Sequence, residues 1–103
     1  MTDSSWWVYI VRCADDTLYT GISNDVERRV SEHQSQGRKT ARYLRGRAPL
    51  ALVYTQQAGD YGAALRLEYR IKQLDRRAKL RLISGDESIL TSLMEQADES
   101  SSG

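Results

Sequence analysis

The spacing of apolar and polar positions changes several times along the chain, and each change marks an element. Residues 6–12 (WWVYIVR) are aromatic and β-branched, and residues 17–22 (TLYTGI) resume that character after the polar break Ala14-Asp15-Asp16. Two such runs across a short break predict an antiparallel hairpin. From Val26 the period lengthens to that of a helix reaching about Gln36, and Asn24 with Glu27 three residues on resembles a capping box. Residues 37–48 (GRKTARYLRGRA) have almost no period and predict a basic loop. A third strand at 50–55 (LALVYT) follows Pro49. Asp60 is placed to cap a helix from 61 to about 74, and Asp75 restarts a basic one to about Ile83, which Gly85 stops. Residues 87–96 (ESILTSLMEQ) suit one more helix, and the composition of ADESSSG predicts disorder. The pattern describes one α+β domain over residues 6–83, a short N-terminal tail at 1–5 and a tail at 84–103 that is part helical, part disordered.

Composition narrows what such a domain does. A chain of 103 residues holds one modest core, and 40% hydrophobic with 28% charged residues is ordinary for a globular protein. No apolar run approaches the ~18–20 residues that span a bilayer. The opening MTDSS lacks the basic and apolar regions of a secretory leader, so a cytoplasmic protein without a membrane partner is expected. One cysteine and one histidine exclude an intramolecular disulfide and a zinc quartet.

The net charge of +1 at first speaks against a polyanionic partner. Its distribution reverses that inference. Arg28 to Arg81 contain 14 bases against four acids, whereas residues 84–103 hold five acids, Asp86, Glu87, Glu95, Asp98 and Glu99, and no base. A basic body of this density attracts phosphates, and the acidic tail is expected to fold over it and compete.

Two charges sit where apolar residues belong. The face of the first helix that must pack on the hairpin is Val26, Arg29, Val30 and His33, with Arg28 pointing away. Arg29 there either finds an anionic partner or ligand or snorkels from the edge of the stripe, and for one arginine alone the second is the commoner outcome. In the helix from 61, Glu68 interrupts the stripe Ala64, Leu67, Ile71 and Leu74. It reads as a partner for Arg29, a metal ligand or a general base. The two helices are expected to present these groups toward one sheet, where Tyr9 and Tyr19 lie on the hairpin and Gly21 marks a close approach to the backbone. Strand tyrosines taken singly are usually packing residues.

Together these residues resemble the GIY-YIG nucleases. The half-motifs are Val8-Tyr9-Ile10 and Tyr19-Thr20-Gly21. Arg29 follows Gly21 by eight residues, His33 follows Arg29 by four, and Glu68 lies in a later helix where the family keeps a metal-binding glutamate. The opening Gly-Ile-Tyr is degenerate here, and no counterpart is found of the asparagine that some members place after the glutamate. The likeness covers about residues 6–83, and with Ile71-Lys72-Gln73-Leu74 is greatest to the small stand-alone bacterial members, the YhbQ-like group. It implies a small three-stranded antiparallel sheet flanked by helices, and a metal-dependent DNA endonuclease using one Mg²⁺ or Mn²⁺ held by Glu68. Arg29 would meet the charge developing on the phosphate. Tyr9 would take the proton from water, Tyr19 would position water or phosphate, and His33 would accept or relay the proton.

Both tyrosines must then share one sheet face. That requires a turn of three or five residues, or a bulge, around Asp15-Asp16, because a two-residue turn puts them on opposite faces. Arg38, Lys39, Arg42, Arg45 and Arg47 would grip the phosphate backbone, with Tyr43 stacking on a base, and Lys72, Arg76, Arg77, Lys79 and Arg81 would extend that surface. DNA is the expected partner, RNA a possible one, with binding by structure or without sequence preference; no small-molecule cofactor is expected, and a monomer is the default, a dimer not being excluded. The competing readings are a non-cleaving nucleic-acid-binding module of the same fold and an interaction domain using Ile89, Leu90, Leu93 and Met94. A repair role is analogy with the fold alone.

Overall fold

The structure, a computed structural model, describes residues 5–102, with side chains for 5–95. Most of the expected tail at 1–5, and Gly103, lie outside the described residues. Three strands, β1 (Trp6–Arg12), β2 (Leu18–Ser23) and β3 (Ala51–Gly59), form an antiparallel sheet in the order β2-β1-β3. Four helices follow the strands or lie between them: α1 (Val26–Gln34), α2 (Tyr61–Gln73), α3 (Arg76–Ile83) and α4 (Glu87–Ser102). Among the described residues no helix is long and apolar enough to cross a membrane.

The β1–β2 turn has three residues. Cys13 N–H donates to the Thr17 carbonyl at 2.8 Å, closing Ala14, Asp15 and Asp16 into a loop in which Asp16 takes the left-handed φ of +70°. A three-residue hairpin with an αL residue last is a favoured connection, and aspartate tolerates that conformation. It sets Tyr9 opposite Gly21 and Val11 opposite Tyr19, so both tyrosines point from the same face.

The odd and even positions of β1 divide the core. Val8 and Ile10 pack with Leu67 and Ile71 of α2, Leu82 of α3 and Leu93 of α4. Tyr9, Val11 and Cys13 pack on the other face with Leu44 and Leu50, covered by Val26 and Val30 of α1. Sheet burial on both faces explains why β1 is a nearly continuous apolar run.

Several boundaries differ from expectation for local reasons. Asp25, not Asn24, caps α1, its carboxylate accepting from Arg28 N–H at 3.2 Å, while Asp25 N–H donates to Ser23 Oγ at 2.9 Å. α1 stops at Gln34, because Gln36 turns to a φ of +58°. β3 continues to Gly59 through Gln56 and Gln57, since pairing with β1 persists to Trp6 and a sheet edge tolerates polar residues. The basic loop contains a 3-10 turn at Arg42–Leu44, and Leu44 is fully buried. Gly85, at φ +99°, ends α3 as expected, with Asp86 N–H closing back to the Arg81 carbonyl.

The acidic tail is the larger correction. α4 runs through Ser102, past the expected end at Gln96, with no glycine or proline to break it before Gly103. It docks through buried Leu93 and the flanking Ile89, Leu90 and Met94 onto α2 and α3, on the face opposite the tyrosines. Along this helix the tail lies over α2 and α3, which carry part of the basic body, and not over the face that holds the tyrosines.

Two substitutions test this packing. Leu93→Ala should lower stability by about 2–5 kcal/mol in urea unfolding, as for other buried leucines; a loss within experimental error would mean that α4 is not docked. At Gly21 an added Cβ would lie 2.6 Å from Tyr9 Oη, 2.7 Å from Tyr9 Cζ and 3.1 Å from a Tyr19 ring carbon. Gly21→Ala should therefore displace the buried Tyr9 ring and cost about 1–3 kcal/mol, visible as a lowered urea midpoint.

Candidate active site

Four of the five residues expected to do chemistry meet on the odd face of the sheet. Tyr9 projects from β1 across Gly21, and its hydroxyl lies 2.9 Å from His33 Nε2 of α1. Tyr19 of β2 stands edge-on to the His33 ring at 5.8 Å and tilted to Tyr9 at 6.4 Å. Arg29, one turn before His33, donates to Glu32 Oε1 at 3.0 Å and to the Lys39 carbonyl at 2.6 Å. Its side chain is one-third exposed, so the charge reaches the site edge without being sealed in the core.

Glu68 is placed differently. Both helices pack on the one sheet as expected, α1 on the tyrosine face and α2 on the opposite face. The Glu68 carboxylate pairs with Lys72 at 3.4 Å, whereas Arg29 takes Glu32 as its acid, so of the three readings of Glu68 the ion pair with Arg29 is not formed. Glu68 is nevertheless close enough to both tyrosines to disfavour their ionisation.

Burial dominates the protonation of the cluster. It pushes the Tyr9 phenol far above its usual range; the neighbouring Tyr19 and Glu68 add to the rise, and Arg29 opposes it. Tyr19 rises for the same leading reason. Burial and then Arg29 hold His33 down at about 4, against a weaker pull from Glu32, so the imidazole is neutral at pH 7. Glu32 is itself held below the usual carboxylate range, first by its hydrogen bond from Arg29.

The segment after α1 forms the wall of this site, and sequence reasoning missed how tightly it is held. Ala41 N–H donates to His33 Nδ1 at 3.1 Å. Thr40 Oγ1 donates to the Glu32 carbonyl at 3.0 Å, and the Gln36 amide joins the His33 and Leu44 carbonyls to Gly46 N–H. Tyr43 stacks on Tyr19 at 5.9 Å, and the Arg47 guanidinium lies 4.4 Å above the Tyr43 ring while pairing with Asp15. The Glu32 pairing had a readable signal in its i+3 position from Arg29. A backbone amide such as that of Ala41 leaves none.

The basic residues divide by environment. Arg38, Lys39, Arg42 and Arg45 are exposed along this wall; Arg47 is engaged by Asp15 and Tyr43, and Arg76 reaches Asp16 at 3.3 Å. Lys72 is tied to Glu68. Among the described residues no three His, Cys, Asp or Glu side chains gather as a metal-binding group. A hard cation that keeps its waters can still be held by one partly exposed carboxylate, and Glu68 is of that kind.

Comparisons with known proteins agree with this arrangement. The model of the GIY-YIG catalytic domain matches residues 5–81. A UPF0213 protein named YhbQ from Salmonella arizonae is 50% identical over 91 residues, covering 85% of this chain and 89% of that protein. A UPF0213 protein of Klebsiella pneumoniae is 45% identical, with 91% and 87% covered. The solution NMR structure of a UPF0213 protein from Bacillus halodurans is 41% identical, with a TM-score of 0.50 over 86% of this chain and 96% of that one. A match of this extent, on a sheet that carries Tyr9, Tyr19 and Gly21 in register, means that the chain belongs to the GIY-YIG family, whose catalytic domain is a nuclease fold.

Proposed function

We propose that this protein is a metal-dependent endonuclease that hydrolyses phosphodiester bonds in DNA, selecting by structure or without sequence preference. The observation that carries the reading is the convergence of Tyr9, Tyr19, Arg29 and His33 on one sheet face, with Glu68 acting electrostatically on both phenols. Phosphodiester hydrolysis needs a base for water, a sink for charge on phosphorus and help for the leaving oxygen. Tyr9 is the base, and Tyr19 holds the water or the phosphate beside it. Arg29 meets the developing charge with a guanidinium that is always protonated. Glu68 holds the metal; when bound, a divalent cation supplies Lewis acidity at the phosphate and offsets the carboxylate charge that opposes phenol ionisation. The exposed Arg38, Lys39, Arg42 and Arg45 bind the backbone of the same strand, with Tyr43 beside Tyr19 as a stacking surface.

A second reading, a nucleic-acid-binding domain that does not cleave, is favoured by one observation. Both phenols are held protonated at rest, and Arg29 is already engaged by Glu32 and Lys39. Plasmid nicking separates the two. Wild type should nick in Mg²⁺ and stop in EDTA, and Glu68→Ala should lose at least the ~10²-fold expected when electrostatic stabilisation of a transition state is removed. Cleavage unchanged in Glu68→Ala defeats the assignment of Glu68; salt-sensitive binding without cleavage under any condition supports the second reading. Binding to DNA should weaken steeply between about 50 and 200 mM salt. Absence of salt-dependent affinity for any nucleic acid overturns both.

A further inference from the structure

His33 makes a hydrogen bond at each of its two ring nitrogens, and together they determine which nitrogen carries the proton. Ala41 N–H points at Nδ1 at 3.1 Å, and an amide can only donate. Nδ1 must therefore present its lone pair. With the ring neutral, the single ring proton is then on Nε2, which faces the Tyr9 hydroxyl at 2.9 Å. Nε2–H donates, and the Tyr9 oxygen accepts. A proton cannot pass from Tyr9 to a nitrogen that already holds one.

We propose that His33 is a fixed hydrogen-bond donor to the Tyr9 oxygen, its tautomer set by the Ala41 amide, and that it positions Tyr9 and favours its phenolate instead of receiving its proton. The mechanistic role of this donor rests on the nuclease reading; the tautomer does not. The groups facing the ring agree with this assignment. Arg29 from α1 disfavours an imidazolium, Glu32 from α1 opposes that more weakly, and Tyr9 of β1 and Tyr19 of β2 contribute no charge while protonated. Burial keeps the ring neutral well below pH 7. Tyr9 keeps its own hydrogen free to turn toward the substrate side, where it leaves to solvent water, and the phenolate left behind, which can then take a proton from the attacking water, finds the His33 donor already aimed at it.

The amide that sets the tautomer belongs to the segment whose exposed cations are proposed to hold the nucleic-acid backbone. Ala41 lies between Lys39, whose carbonyl receives Arg29, and Arg42. The wall that binds the strand thus also fixes the donor behind the base. Sequence reading of His33 as an acceptor or relay overlooked this amide.

The direct test is nitrogen-15 NMR of the histidine ring in the full chain, which has only this one histidine. At pH 7 and at pH 6 the expected spectrum shows a protonated Nε2 and a lone-pair Nδ1. A protonated Nδ1, an averaged tautomer or an imidazolium at pH 7 overturns the proposal, whether or not the protein cleaves DNA. The activity arm compares two variants. Glutamine can accept from Ala41 through Oε1 and donate to Tyr9 through Nε2, but it cannot take up a proton; alanine can do neither. His33→Ala should lose ~10²–10³-fold in kcat, as removal of a donor to developing charge does, with KM little changed. His33→Gln should recover most of that loss. If Gln falls as far as Ala while its urea midpoint stays native, proton transfer through His33 is indicated and the donor role is wrong. Loss of wild-type nicking would defeat the nuclease reading alone, leaving the tautomer to stand or fall on the spectrum.

Discussion

Tyr9 reaches His33 because residue 21 has no side chain. The ring of Tyr9 lies over Gly21, at a separation that leaves no room for one methyl group, and its hydroxyl ends 2.9 Å from the imidazole. Every other feature of the odd face depends on that crossing. The three-residue turn sets the register that places Gly21 opposite Tyr9 and brings Tyr19 to the same side. The helix that follows β2 carries Val26 and Val30 against this face, and one turn later His33 is buried above the tyrosines. Cross-strand aromatic cover of a glycine is a packing device in many sheets. Here it also delivers a hydroxyl to a fixed position.

The cluster holds its charges in separate pairs. A buried and a half-buried phenol and a buried imidazole are kept neutral, and the nearest guanidinium is divided between a carboxylate and a carbonyl. Glu68 acts from an α2 helix on the other side of the sheet and is itself matched by Lys72. Such a site is quiet in isolation, because neither phenol is ionised at pH 7. Its chemistry therefore depends on what enters: a cation beside Glu68 would relieve the charge that raises both phenols, and a phosphate beside Arg29 would compete with Glu32. Specificity for a reactive state is then built from ordinary burial, with no strained residue required in the chemistry itself.

The framework of the fold was legible because it rests on local rules. Period-2 and period-3.6 runs located three strands and four helices, and Asp60, Asp75 and Gly85 marked helix ends where the structure has them. The requirement that Tyr9 and Tyr19 share a face was a consequence of strand geometry, and the turn meets it. What failed to show were relations between distant backbone atoms. The segment 37–48 looked aperiodic because its order comes from Thr40, Ala41, Gln36 and Gln34 bonding across the chain, and no spacing rule encodes those contacts. The side of the sheet taken by Glu68 was equally hidden, since helical periodicity gives the buried stripe of α2 but not the face it covers.

Charge followed the same division between local and global. The near-neutral total conceals a basic body and an acidic end, and the three-dimensional arrangement adds what the partition alone leaves open. α4 packs by Leu93 on the even face, and Asp86 just before it is spent on Ser88 and then Arg81, whose hydrogen bonds hold its carboxyl at about 2. α4 therefore lies behind the sheet, while the segment that carries Arg38, Lys39, Arg42 and Arg45 borders the tyrosines in front. Within about a Debye length, roughly 8–10 Å at ordinary salt, an approaching polyanion meets the front surface and is screened from the rest. A molecule that is neutral in sum is in this way basic along the wall beside its candidate chemistry, while on the other side of the sheet the first acid of the tail, Asp86, is matched by Arg81 of α3.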